Sequence, residues 1–159
     1  LVKKLDYECE LAVVLGKDAR DVPAGQTRDY IFGYTILNDV SARDVQTAHK
    51  QWYFGKSLDG FTPIGPCIVT AADYPPRLGI RSFVNGEKRQ DSNTALQIFD
   101  IDHVIAELSQ GMTLKAGTII ATGTPAGVGM GMDPPQFLKP GDVVRCEIEG
   151  IGTLTNPVK

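Results

Sequence analysis

Short apolar runs alternate with polar positions along this chain, and glycine or proline usually falls between one run and the next. That punctuation predicts a mainly β protein. Strands are expected over Cys9 to Leu15, over Tyr30 to Leu37 with a helical lead-in, and over Cys67 to Thr70. Ile80 to Val84 and Glu87 to Gln90 flank Asn85-Gly86, the strongest short hairpin signal. Thr118 to Thr122, Val143 to Ile148 and Gly152 to Thr155 complete the set, with Pro140-Gly141-Asp142 as the turn into Val143.

Helical spacing is clear once. In Asp100 to Gln110, the residues Ile101, Val104, Ile105 and Leu108 make one stripe that Gly111 can close. A second, shorter helix is expected from about Ala42 to Lys50, with Ser41-x-x-Asp44 as a capping box. Helices this few and irregular do not make a βαβ array. The pattern predicts an α+β chain dominated by β, a mostly antiparallel or mixed roll with short helices.

The 159 residues amount to one domain by length, able to bury roughly two-thirds of the surface of its extended chain. A net charge of −3 argues against a nucleic-acid surface, which needs a basic stripe. No apolar run approaches the ~20 residues of a membrane span. Cys9, Cys67 and Cys146 are odd in number and widely spaced. They read as buried free thiols in a reducing compartment, cytoplasm or an organelle matrix, rather than a disulfide frame or a zinc site.

Candidate chemistry starts with acidic side chains. Glu8 and Glu10 are two apart at a strand's start, so both carboxylates point to one face while Cys9, Leu11, Val13 and Leu15 fill the other. Such a pair is either a solvated edge or a pair of ligands with something positive between them. Asp39 follows an apolar strand, as a turn former beside Asn38 or as a third ligand. Three carboxylates without His or Cys suit Mg²⁺, Mn²⁺ or Ca²⁺ rather than zinc. The metal reading requires the three to converge without being locked into arginine pairs. Gly55-Lys56-Ser57 lacks the first glycine of a phosphate loop, and Gly127-x-Gly129-x-Gly131 lacks the third of a dinucleotide fingerprint. The glycine-rich stretch is instead expected to be a mobile loop beside a pocket.

Several segments, in order, resemble the fumarylacetoacetate hydrolase family. They are Asp6-Tyr7-Glu8-Cys9-Glu10-Leu11, Gly33 to Gln46 with Asn38-Asp39-Val40-Ser41, Gly55-Lys56-Ser57-Leu58-Asp59, the Val84-Asn85-Gly86 hairpin with Gln90 to Thr94, and Thr122-Gly123-Thr124-Pro125-Ala126-Gly127. The resemblance implies that family's mixed β-sandwich roll in a homodimer, of the acylpyruvase-like branch. It implies Glu8, Glu10 and Asp39 as ligands of one divalent cation, Mg²⁺ first, and Gln46, Lys56 and Thr124 as substrate contacts. Lys56 is the catalytic candidate, adding positive charge where negative charge develops. Arg43 matches too, but it can pair with Asp44 or cap a helix, and it is left out of the site.

The implied activity is hydrolysis of a C–C bond in a small 2-oxo or β-diketo acid, of acylpyruvate or fumarylacetoacetate type. A keto and a carboxylate oxygen chelate the cation, which stabilises the enolate. The alternatives are an oxaloacetate decarboxylase, or an isomerase or decarboxylase of aromatic catabolism. A metal-binding or ligand-binding domain without activity, and a β interaction module without metal, are further readings. In much of the family a His-Glu pair on an N-terminal lid activates water. His49 and His103 do not match it, so the expectation is a core domain over residues 1–159 that binds metal but turns over poorly without the lid.

Overall fold

A computed structural model describes residues 1–71 and 77–159. The strands are β1 (Leu5–Asp6), β2 (Cys9–Leu15), β3 (Ile31–Asn38), β4 (Ser41–Ala42), β5 (Ile64–Thr70), β6 (Gly79–Val84), β7 (Glu87–Asn93), β8 (Ile119–Ala121), β9 (Val143–Ile148) and β10 (Gly152–Pro157). The α-helices are α1 (Arg43–His49) and α2 (Ile101–Leu108). One sheet runs β5-β3-β2-β8, a second runs β10-β9-β6-β7, and β1 pairs with β4. Every pairing among the described residues is antiparallel.

The two four-stranded sheets pack face to face, β2 and β3 against β6 and β9. Leu11, Val13, Tyr34 and Ile36 from one sheet meet Ile80, Val144, Cys146 and Ile148 from the other. Ile105 of α2 joins this core, as its stripe predicts. Asp100 caps α2, accepting from the His103 N–H at 2.8 Å. The Asn85-Gly86 hairpin turn forms as expected, with φ of 53° and 84° at those two residues.

Three expectations need correction. Ser41 does not cap α1: the N-cap is Ala42, with no side-chain hydrogen bond, and the Ser41 hydroxyl donates to the Asp39 carbonyl at 3.0 Å. Gly111 does not close α2: the helix ends at Leu108 with Ser109 as its C-cap, and Leu108, expected on the buried stripe, is exposed. Cys67 is exposed on edge strand β5, whereas Cys9 and Cys146 are buried as expected. A hydrogen bond with the Cys146 thiol, and then burial, push the Cys9 thiol far up, so Cys9 stays protonated and inert.

The glycine-rich stretch is tied down rather than left as an open loop. The Tyr7 hydroxyl donates to the Gly127 carbonyl at 2.8 Å, and the Gln136 N–H donates to the Gly129 carbonyl at 2.9 Å. A Cβ on Gly129 would lie 2.0 Å from the Gln136 carbonyl oxygen and 2.8 Å from Asp6 Oδ1. Only glycine fits this approach.

Ile36 is fully buried between the sheets. Ile36→Ala is expected to lower unfolding free energy by roughly 2–5 kcal/mol, read from urea denaturation. A loss under about 1 kcal/mol would contradict a close-packed interface here.

Candidate metal centre

Antiparallel register brings the acidic residues together. Cys9 pairs with Asn38 at the ends of β2 and β3. Glu8 and Glu10 therefore flank the point where the chain leaves β3 for Asp39. The Asp39 N–H donates to the Glu8 carbonyl at 2.8 Å, extending the ladder by one bond. One carboxylate oxygen each from Glu8, Glu10 and Asp39 then lies within 4.8 Å of the others. The convergence required by the metal reading is met.

Two cations are built into the cluster. Lys56 Nζ donates to Glu8 Oε2 at 2.9 Å and to Asp39 Oδ2. Lys56 lies in a short helical turn, Phe54–Lys56, whose Gly55 packs against Gln46 of α1; a Cβ there would lie 2.7 Å from the Gln46 backbone nitrogen. Arg43 is the second cation, and its omission from the site is corrected. It does not pair with Asp44, which instead accepts the Lys3 N–H at 2.9 Å. Arg43 Nη2 lies 2.7 Å from Glu8 Oε1 and 3.0 Å from Asp6 Oδ2. Glu8 is thus in an arginine pair, against the condition set by the sequence reading; the pair takes Oε1 alone, and Oε2, which Lys56 meets, still faces the cluster.

Thr124 and Gln46 are close to the centre, with their polar atoms engaged by protein. The Thr124 hydroxyl donates to the Cys9 carbonyl at 2.9 Å and accepts from Gln90 Nε2 at 2.8 Å. Its proton is committed, so toward a ligand it can only accept. Gln46 is buried, and its Oε1 accepts from Arg43 Nη1 at 3.2 Å. A cleft of about 530 Å³ opens beside Thr122, Gly123 and Thr124, walled by Leu96, Gln97 and Phe99; none of the three carboxylates lines it.

Sequence reasoning missed Asp6 and Gln90, both 0% exposed. The Gln90 amide accepts the Cys9 N–H at 3.1 Å and donates to Thr124 Oγ1 and to the Pro125 carbonyl. It joins β7 of one sheet to the ligand strand of the other. Asp6 extends the Glu8, Glu10 spacing by one more step of two, and that was the available signal. Gln90 carries no comparable signal. His103 stacks on Phe99 at 4.7 Å between ring centroids, as a structural role predicts. The side chain of His49 lies outside the described residues.

Electrostatics fit a divalent cation. With all four carboxyls ionised, Asp6, Glu8, Glu10 and Asp39 carry two more charges than Arg43 and Lys56 offset; without a cation, a proton retained on Glu10 removes one of them. Burial pushes Glu10 up to about 8, against a Gly123 N–H that donates to its Oε2 at 2.9 Å, with Asp39 and Glu8 raising it further. Burial also raises Asp39 despite Lys56. Burial by itself would lower Lys56, but its bonds to Asp39 and Glu8 win and keep it an ammonium. Three converging oxygens with no sulfur or imidazole suit a hard cation. When bound, such an ion supplies Lewis-acid polarisation of a ligand carbonyl.

Fold and centre together define an antiparallel β roll built around a carboxylate site for a divalent cation. The chain belongs to the fumarylacetoacetate hydrolase family: the model of the fumarylacetoacetate (FAA) hydrolase C-terminal domain matches residues 1–159. It is 49% identical over 160 aligned residues to the oxaloacetate tautomerase YisK of Bacillus subtilis (strain 168), covering 99% of this chain and 53% of that protein. The fold matches a fumarylacetoacetate hydrolase from the psychrophile Exiguobacterium antarcticum with a TM-score of 0.98 and 51% identity, over 100% of this chain and 58% of that one. It also matches a fumarylpyruvate hydrolase from Pseudomonas aeruginosa in complex with Mn²⁺ and pyruvate, with a TM-score of 0.89 and 30% identity, over 99% of this chain and 66% of that one. The chain spans about half the length of the curated relatives it matches. No helix among the described residues is long and apolar enough to cross a membrane.

The raised Glu10 has a signed consequence. The folded chain holds that proton up to about 8, against an ordinary carboxylate value of 4.5. Folding stability is therefore lost as pH rises through that window and levels off above it. In EDTA, the urea midpoint of the wild type is expected to fall between pH 5 and pH 8.5 relative to Glu10→Gln, and saturating Mn²⁺ should remove the difference in slope. Parallel curves for the two proteins in EDTA would refute the buried carboxyl.

Proposed function

We propose that this chain is the cation- and substrate-holding part of an enzyme that works on the enolate of a small 2-oxo acid. The observation that carries this reading is the largely buried cluster of Glu8, Glu10 and Asp39, whose oxygens converge and whose charge, once all are ionised, Arg43 and Lys56 do not balance, Arg43 being shared with Asp6. Mn²⁺ or Mg²⁺ is the proposed ion. A relative holding Mn²⁺ and pyruvate supports both the ion and the substrate class.

Each residue has a definable task. Glu8, Glu10 and Asp39 hold the ion and leave its remaining positions for ligand oxygens. Lys56 keeps its proton at Nζ and sets a second positive charge beside the oxygen on which negative charge develops. Thr124 accepts from a donor on the ligand, and Gln46 acts by holding Arg43. The 49% identity to an oxaloacetate tautomerase favours enol–keto interconversion as the leading reaction, in which one proton moves between carbon and oxygen and no water is activated. Hydrolysis of an acylpyruvate C–C bond is the second reading, supported by the hydrolase names of two structural relatives. It needs a water-activating base in addition. A homodimer in the cytoplasm is part of the proposal.

Oxaloacetate enol decay and acetylpyruvate cleavage, followed in parallel with Mn²⁺ and with EDTA, test these readings. The expected result is Mn²⁺-dependent enol decay that Asp39→Asn lowers at least about a hundredfold. Enol decay that EDTA leaves untouched would exclude the cation-held enolate, and formation of acetate plus pyruvate would promote hydrolysis to first place. Cation binding is read separately from activity. Mn²⁺ at a hundredfold above its Kd should add about 2.7 kcal/mol of stability, and Lys56→Met should retain Mn²⁺ while weakening oxalate binding by about tenfold or more.

A further inference from the structure

We infer that Asp6 is a positioning residue for the cation site: acting through Arg43, it makes Glu8 a one-oxygen ligand and so favours a small six-coordinate ion over Ca²⁺. The inference rests on the proposed cation site and goes beyond it, since Asp6 touches none of the three ligand carboxylates.

The geometry is closed on every side. Asp6 Oδ1 accepts the Tyr7 N–H at 2.9 Å and the Gly129 N–H at 2.7 Å. Asp6 Oδ2 accepts the Met130 N–H at 2.9 Å, Arg43 Nε at 3.0 Å and Arg43 Nη2 at 3.0 Å. A carboxylate offers about four lone-pair sites, so Asp6 is saturated and cannot rotate without abandoning a partner. Its two-atom grip sets the plane of the guanidinium. The third point of that plane is Nη1, donating to Gln46 Oε1 at 3.2 Å. With the plane fixed, Nη2 meets Glu8 Oε1 at 2.7 Å.

Glu8 therefore has one oxygen committed to arginine and only Oε2 turned toward Lys56 and Asp39. Glu10 is restricted in a related way, with the Gly123 N–H on its Oε2. Calcium takes six to eight oxygens and gains from two-oxygen chelation by carboxylates, whereas Mg²⁺ and Mn²⁺ accept six ligands at shorter range. A carboxylate held to one oxygen removes more from calcium than from the smaller ions. Asp6 also carries the loop amides of Gly129 and Met130 on the oxygens that hold Arg43. The loop's place at the centre and the orientation of Glu8 are thus set by one buried side chain.

The test measures Mn²⁺ and Ca²⁺ affinity separately, by Mn²⁺ electron paramagnetic resonance and by calorimetry, on the wild-type chain and on Asp6→Asn. Wild type should bind Mn²⁺ more tightly than Ca²⁺. In Asp6→Asn, Mn²⁺ affinity should fall about 10- to 100-fold, Ca²⁺ affinity should fall less, and the bound Mn²⁺ spectrum should change. An Asp6→Asn protein with the wild-type preference overturns the inference and leaves the cation site standing. A wild-type chain that binds neither ion overturns the cation site itself. Should Asp6→Asn lack the wild-type near-ultraviolet circular dichroism, Arg43→Lys is read by the same criterion: its point charge cannot grip Asp6 and Glu8 together, so its preference should also narrow. Loss of fold in both variants would make the pair scaffold only and overturn the inference as well.

Discussion

Three carboxylates held close together, where water screens them poorly, are the constraint on which the rest of this structure depends. At about 4 Å two like charges repel by roughly 4 kcal/mol in a partly buried setting, and here three do so at once. The fold answers with different donors for different tasks. Arg43, a rigid fork, lies behind Glu8 and is shared with Asp6. Lys56, a point charge on a flexible stem, reaches in from the front between Glu8 and Asp39. A backbone amide, Gly123, serves Glu10. These donors do not balance all the carboxyls once Glu10 is ionised, and that imbalance is what separates the centre from a set of closed ion pairs.

Convergence of ligands so far apart in sequence comes from register. Pairing of Cys9 with Asn38 ends both strands at one level, and the backbone groups left over there are met by side chains. Asn38 Oδ1 accepts the Glu8 N–H at 3.2 Å, and Gln90 Oε1 accepts the Cys9 N–H at 3.1 Å. Buried amides without partners would be costly in such a place. The same two side chains reach onward, Asn38 Nδ2 to Asn156 of β10 and Gln90 Nε2 to Thr124. The ligand strand is thereby fixed to the second sheet and to the loop after β8.

What the sequence reveals about this molecule divides along interaction range. Strand positions, the Asn85-Gly86 turn and the Asp100 start of α2 depend on residues within a few positions of each other, and each is where the pattern places it. The Ser41 cap failed although it is local, because Ser41 is drawn into β4 and α1 begins from an extended Ala42. In the site, the carboxylates and Lys56 were legible through family resemblance. Arg43 was visible but given the wrong partner, since Asp44 is adjacent while Asp6 and Glu8 are more than thirty residues away. Asp6 and Gln90 act through contacts spanning 123 and 81 residues; the two-residue spacing marks Asp6 but not its partners, and nothing local marks Gln90.

A centre arranged in this way explains why similar chains carry names for different reactions. The relatives include an oxaloacetate tautomerase at 49% identity and a fumarylpyruvate hydrolase at 30%. Enol–keto exchange and C–C cleavage both pass through negative charge on the oxygen of a 2-oxo acid, so both gain from the same fixed positive field. They part at the next step, where one needs only a proton returned and the other needs water activated at a neighbouring carbon. The residues that create the field belong to the rigid end of a two-sheet roll, held by Arg43, Gln90 and Asp6. The contacts that orient these residues are made among Asp6, Arg43, Gln46 and Glu8 themselves. The charged cluster meets the requirement the two reactions share, and the proton-moving or water-activating group is a separate requirement on which they differ.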